Sequence, residues 1–195
     1  VEAFLTSLSM VAVAEIGDKT QLLSFVLAAR YRGQHWAIIA GILLATIGNH
    51  ALAAFSGGWL AAQISPDILR WILGLSFLAF AAWALVPDTL DDEETAKFRR
   101  GAFVTTLIAF FFAEMGDKTQ LATIALGAQY TSLLAVTMGT TLGMMVANVP
   151  AVLLGEKLAQ RFTLNKMRFV AAALFAAFGL LILFKIDLGL GIAGL

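Results

Sequence analysis

Cysteine is absent from the 195 residues, which excludes disulfide frameworks, thiolate metal sites and thiol catalysis together. Charge is scarce as well. Asp, Glu, Lys and Arg make up 13% of the chain and apolar residues 60%, against roughly 25% and about 45–50% in soluble globular domains. A soluble fold of this size would expose more apolar surface than so few charges can mask. Thirteen basic residues are cancelled by thirteen acidic ones, so no net field draws the chain to nucleic acid. No nucleophile–base pair and no cofactor signature is present, so neither an enzyme nor a bound cofactor is expected. One stretch alone reads as solvated, 88–100 (DTLDDEETAKFRR). Its acidic run could attract cations, but a flexible connection accounts for it. The fold class that remains is an all-α integral membrane protein.

Crossing a bilayer takes about 20 apolar residues as a helix, and six such stretches are present: 3–29, 36–59, 67–87, 102–128, 132–156 and 167–185. They are too long and continuous for strands, and lipid accepts only helices or closed barrels. Ser65-Pro66 reads as an N-cap and first-turn proline for the third helix, and Thr163 or Asn165 as a cap for the sixth. The sixth span is short, so Arg168 and Lys185 are expected to snorkel outward. The first stretch carries ionisable residues and reads as a true span, not a signal peptide.

The chain repeats itself. EIGDKTQL (15–22) returns as EMGDKTQL (114–121), with seven of eight residues identical, and LAARY (27–31) returns as LGAQY (126–130). After a one-residue gap, Gly41, Leu44, Gly57, Leu60 and Arg70 align with Gly139, Leu142, Gly155, Leu158 and Arg168. Residues 41–64 and 139–162 share only six identities in 24, so the octapeptide has diverged far less than its surroundings. The reading is a three-helix repeat over 1–87, a cytoplasmic linker over 88–100 and a second repeat over 101–195. An odd number of helices per repeat turns the second copy upside down. Charge supports that inversion. Arg30, Arg32, Lys97, Arg99, Arg100, Lys157, Arg161, Lys166 and Arg168 fall on one side and only Arg70 and Lys185 on the other. By the positive-inside rule the first side is cytoplasmic and both termini lie outside. Six transmembrane helices as two inverted three-helix repeats is an architecture of secondary transporters.

The repeated octapeptide falls at the middle of spans one and four, where a charge costs from ~2.5 to more than 10 kcal/mol. Glu15 with Asp18, and Glu114 with Asp117, are spaced i, i+3, which on a continuous helix shares one face. Equivalent helices of an inverted repeat can meet at mid-membrane, so one site with oxygen ligands from both halves is expected. Gly17 and Gly116 weaken the helix there and would free carbonyl oxygens. Thr20, Gln21, Thr119 and Gln120 add further oxygens, although Thr20 projects about 140° from Glu15 on an ideal helix. Four carboxylates with Lys19 and Lys118 leave two negative charges. One divalent cation neutralises them, and so do two protons, assigned to Glu15 and Glu114. All-oxygen ligands favour calcium, magnesium or manganese over zinc or copper. The structural alternative is an intrahelical Glu15–Lys19 ion pair at i, i+4. It is the weaker reading for two near-identical copies at mirrored depth.

E-x-G-D-K-T once per half resembles the signature of the Gdt-type cation/proton exchangers, a family of Golgi manganese/calcium transporters and bacterial manganese exporters. The resemblance spans essentially the whole chain. It implies the six-helix inverted-repeat fold, cation binding by Glu15, Asp18, Glu114 and Asp117, and Mn²⁺ efflux against proton entry in a bacterial cytoplasmic membrane. A Ca²⁺/H⁺ antiporter, a passive divalent-cation channel and a structural subunit are the competing readings. The expected partners are the lipid bilayer, the divalent cation and protons, with a monomer or homodimer equally open.

Asn49, His50 and Asn148 are polar residues of spans two and five, and His50 aligns with Asn148. They either flank the site as donors or ligands, or hydrogen-bond neighbouring helices. Gly139-x-x-x-Gly143, mirrored by Gly41-x-x-x-Ala45, reads as close helix packing. Met115, Met138, Met144 and Met145 read as packing before ligation, Pro150 as a kink, and Trp36, Trp59, Trp71 and Trp83 as an interfacial belt.

Overall fold

The computed structural model describes residues 1–86, 101–154 and 164–186, with backbone alone over 164–168. The linker 88–100, Gly155, Leu158, Thr163 and the side chains of Asn165, Lys157, Arg161, Lys166 and Arg168 lie outside the described residues. Eight helices are described: α1 (Glu2–Ala14), α2 (Lys19–Arg30), α3 (His35–Ala61), α4 (Pro66–Ala84), α5 (Ala102–Glu114), α6 (Lys118–Gln129), α7 (Leu133–Leu154) and α8 (Leu164–Leu183). No strand occurs among the described residues. By length and composition α3, α4 and α7 can each cross a membrane alone, while Glu2–Ala14, Ala102–Glu114 and Phe169–Phe184 are shorter apolar segments. The chain is an all-helical membrane protein.

Two of the expected spans are not single helices. The stretch 3–29 is α1 followed by α2, and 102–128 is α5 followed by α6, with each interruption inside the repeated octapeptide. Gly17 and Gly116 take φ of 88° and 77°, a left-handed conformation that stops a helix and that glycine alone adopts without strain. Asp18 and Asp117 then stand at the N-cap positions of α2 and α6 in extended conformation. The shared helix face expected for Glu15 and Asp18, and for Glu114 and Asp117, is therefore replaced by a turn. The other expected boundaries that fall on described residues agree with the helices to within about three residues, while the expected ends at 87 and 156 lie outside the described residues. Pro66 opens α4 with Ser65 at its N-cap, although the serine side chain makes no capping bond, and Pro150 lies inside α7.

Packing runs mainly between the two sequence halves. α3 lies on α5 and α6, α7 lies on α1 and α2, and α4 lies on α8. Small residues permit these crossings. A Cβ at Gly139 or Gly143 would stand 2.5 Å from Phe4 O or 2.7 Å from Leu8 O of α1, and one at Gly41 would stand 2.9 Å from Phe103 O of α5. Gly57 and Gly127 bring α3 against α6 in the same way, against Ile124 O and Ala54 O. Between α4 and α8, Phe77, Phe80, Phe175 and Phe178 form a buried cluster with ring centres 4.9–6.2 Å apart. Such aromatic contacts contribute beyond their buried area.

Two hydroxyl contacts repeat this exchange at the ends of the broken helices. The Tyr31 hydroxyl donates to Thr105 Oγ1 at 3.0 Å, and Tyr130, at the matching position of the second half, is hydrogen-bonded to Thr6. Arg70 and Lys185, assigned to one side by charge, also meet: Arg70 Nη1 donates to Leu183 O at 2.6 Å and Lys185 Nζ lies 3.6 Å from Asp67 Oδ1.

The α1–α7 crossing gives a direct test. Gly143→Val forces a branched side chain against the Leu8 carbonyl. It should destabilise the folded protein by about 1–3 kcal/mol, read as a lower melting temperature in detergent micelles. Leu134→Val, at an exposed position of α7, should leave the melt unchanged.

Candidate functional site

The ionisable side chains of both helix breaks lie in the interior, although the second turn is exposed at Met115 and Gly116. Glu15 and Glu114 are fully buried, and Asp18, Asp117 and Lys118 nearly so. Glu15 follows the last residue of α1 and Glu114 ends α5. Each glutamate thus sits at a helix C-terminus, where unpaired carbonyls carry partial negative charge. A carboxylate beside such carbonyls favours a cation or a proton.

Each break is held by its own glutamine. The Gly17 N–H donates to Gln21 Oε1 at 2.9 Å, and the Gly116 N–H donates to Gln120 Oε1 at 2.7 Å. Gln21 Nε2 continues to the Ala147 carbonyl of α7 at 3.1 Å. The amide oxygens of Gln21 and Gln120 are thereby engaged by the turns.

The two threonines converge on one carboxylate. Thr20 donates to Glu15 Oε2 at 2.6 Å, across the turn that brings it round from its expected projection, and Thr119 donates to Glu15 Oε1 at 2.5 Å from the other half. Asn148 Nδ2 adds a longer contact to Glu15 Oε2 at 3.4 Å and is itself oriented by the Ser24 hydroxyl, which donates to Asn148 Oδ1 at 2.7 Å. Glu114 has a sparser shell. His50 Nε2 lies 3.3 Å from its Oε2, while Oε1 has no hydrogen-bond partner among the described residues. Asp117 accepts from the Lys118 N–H at 2.7 Å through Oδ1, and Oδ2 has no such partner. Lys118 Nζ crosses to Asp18 Oδ1 at 3.6 Å. Glu114 and Asp117 lie near enough to act on the charge of Glu15, and Lys19 on that of Glu114.

The structure thus brings Glu15, Asp18, Glu114, Asp117, Thr20, Thr119, Lys118, His50 and Asn148 into one polar interior fed by both halves. Asn49 falls outside it: its Nδ2 donates to the Phe111 carbonyl at 2.8 Å, an interhelical bond. Met144 is buried in the core, Met145 packs partly buried against it, and Met115 and Met138 are exposed. The Trp83 ring, partly exposed, also faces Lys118 Nζ at 5.8 Å. Ser24 was not foreseen. Its signal was its place on the face of α2 that also carries Thr20, one turn earlier. Among the described residues no three of the Asp, Glu and His side chains close into a metal cage.

The comparisons with known proteins accord with this geometry. The family model described as divalent cation/proton antiporter GDT1 matches residues 3–92 and 102–188. The chain belongs to the GDT1 family. A Vibrio cholerae protein whose name proposes it as a manganese exporter is 57% identical over 87% of this chain and 84% of its own length. GDT1-like protein 5 of Arabidopsis thaliana is 31% identical over 92% of this chain and 94% of its own. GDT1-like protein 4 of Oryza sativa subsp. indica is 28% identical over 92% and 72%. No solved structure matches the chain. The family is one of transporters, which places this GDT1 protein with membrane carriers of divalent cations and protons.

The left-handed turn can be tested apart from packing. A Cβ at Gly116 meets no atom within 4 Å, so Gly116→Ala costs only the backbone conformation, about 1–2 kcal/mol. The melting temperature should fall accordingly. Gly101→Ala, equally uncrowded and at φ −58°, should leave it unchanged.

Proposed function

We propose that this GDT1 protein exports Mn²⁺ from the cytoplasm in exchange for protons, through one site made by the carboxylates of both halves. The observation that carries the reading is the Thr119 bond to Glu15, which ties the fully buried glutamate of one half to the repeated octapeptide of the other. Glu15, Asp18, Glu114 and Asp117 are the cation ligands, with the hydroxyls of Thr20 and Thr119 beside them. His50 and Asn148 steady the two glutamates from facing helices. Gln21 and Gln120 hold the turns. Asn49 keeps an interhelical role.

The chemistry follows from charge. The four carboxylates and two lysine ammonium groups leave two negative charges, which a low-dielectric interior does not tolerate. One divalent ion relieves them, and so do two protons on Glu15 and Glu114. A carrier that is stable in either loaded state and costly to move empty exchanges one for the other. Hard oxygen donors suit Mn²⁺ and also Ca²⁺. The manganese assignment is supported by the proposed role in the name of the Vibrio cholerae relative.

The architecture proposed with it is six spans in two inverted repeats over 1–87 and 101–195, joined by a cytoplasmic linker, with both termini outside. It is supported by the matching breaks of α1–α2 and α5–α6 and by the reciprocal pairs Tyr31–Thr105 and Tyr130–Thr6. Under this topology the two pairs lie at opposite faces of the bilayer.

Radiolabelled Mn²⁺ uptake into proteoliposomes tests the site. Glu15→Gln and Glu114→Gln should each lower the initial rate by at least about two orders of magnitude while the protein still elutes as a folded peak. Full activity in both variants would sink the shared-carboxylate mechanism. Uptake of Ca²⁺ in place of Mn²⁺ by the wild type would transfer the same mechanism to calcium.

A further inference from the structure

The two lysines of the repeated motif are not equivalent in the structure. Lys118 is buried. Its N–H is anchored on Asp117 Oδ1 at 2.7 Å, and its ammonium reaches into the other half, 3.6 Å from Asp18 Oδ1. On another side the ammonium stands 5.8 Å from the centre of the Trp83 ring. Lys19, at the matching position, is half-buried and makes no ion pair with Asp117 among the described residues. One proposed cation ligand therefore already faces a positive charge carried by the protein.

Three features make that charge displaceable. The Nζ–Oδ1 separation of 3.6 Å exceeds the ~2.7–2.9 Å of a tight charge-assisted hydrogen bond, whereas Mn²⁺ or Ca²⁺ would approach a carboxylate oxygen more closely and with twice the charge. Lysine is a compact charge on a flexible four-carbon stem, without the planar fork that would lock an arginine in place. A recess lined by Ala14, Gly17, Asp18, Ala84, Lys118 and Phe175 borders the pair, and the Trp83 face is a second place where an ammonium is held.

We propose that Lys118 is a tethered stand-in cation. Its ammonium holds Asp18 while no divalent ion is bound and yields Asp18 to the arriving ion by drawing closer to the Trp83 ring. The inference rests on the exchange reading above and adds a positioning residue that sets the affinity of the site. The lysine remains an ammonium throughout, and no proton changes hands. Its presence weakens cation binding, which speeds release on the far side, while the proton-loaded carrier makes the return.

The test is a Mn²⁺ and Ca²⁺ binding titration on the full-length protein in detergent, paired with transport in proteoliposomes. Lys118→Gln should bind about tenfold or more tightly, because the competing charge is gone, while its turnover at saturating cation falls. Lys118→Arg, which keeps the charge, should return affinity toward the wild type. A lysine serving only to hold the helices together would instead give Lys118→Gln equal or weaker binding, and that result overturns the proposal while leaving exchange intact. Wild-type protein that binds neither ion overturns the exchange reading and this one with it. A second readout does not depend on the variant folding. With Trp36, Trp59 and Trp71 replaced by Phe, Trp83 is the sole tryptophan, and Ca²⁺ should shift its emission as the ammonium closes from 5.8 Å toward the ring. Unchanged emission at saturating Ca²⁺ contradicts the displacement.

Discussion

Two glutamates buried in an apolar interior are the constraint on which the rest of this GDT1 protein depends. An unpaired carboxylate in such surroundings costs several kcal/mol, so the chain must either neutralise it or surround it with donors. The fold does the second for Glu15, through Thr20, Thr119 and Asn148, and gives Glu114 the single partner His50 among the described residues. Two chemically matched groups thus occupy unequal surroundings within one conformation. In a carrier built from inverted repeats, that inequality is expected of any state in which the halves are not superimposable. On the inverted-repeat architecture proposed above, the opposite state would exchange their environments.

The helix breaks make this arrangement possible. A continuous helix would aim Thr20 away from Glu15 and would bury no free carbonyl beside either carboxylate. The left-handed glycine ends one half-helix, the aspartate starts the next, and the glutamine four residues on holds the bared N–H of the glycine. The eight residues E-x-G-D-K-T-Q-L therefore serve both backbone and site. That double duty gives a physical reason why the octapeptide has drifted so little between the halves. The close crossings at Gly139, Gly143 and Gly41 then seat each break against a helix from the other half, so the site is shared because the packing is shared.

Much of this was legible in the residues. The six apolar runs located the helices, since bilayer thickness sets their length. The doubled octapeptide located the carboxylates, since no other charge falls near the middle of those runs. Gly17 suggested an unwound turn, yet the helical spacing of Glu15 and Asp18 suggested a common face, and the second reading failed. Periodicity misses a break flanked on both sides by apolar residues. The signal was Gly followed by Asp, a helix stop and a helix start in adjacent positions. The cross-half contacts were beyond a linear reading. That Thr119 would serve Glu15 and not its own Glu114, that Asn49 would turn to Phe111, and that Trp83 would face Lys118 all depend on how the helices cross. Tyr31 and Tyr130 were visible as a repeat, but their threonine partners lie 74 and 124 residues away in sequence.

The central claim is that the interior is electrically satisfied either by one divalent cation or by two protons. Proton movement during cation entry measures it most directly: proteoliposomes containing a pH-sensitive dye, membrane potential clamped, Mn²⁺ added outside. The account predicts internal alkalinisation in step with Mn²⁺ entry, two protons leaving per ion, with no current. Mn²⁺ entry at constant internal pH would contradict it and leave a passive cation pathway in its place.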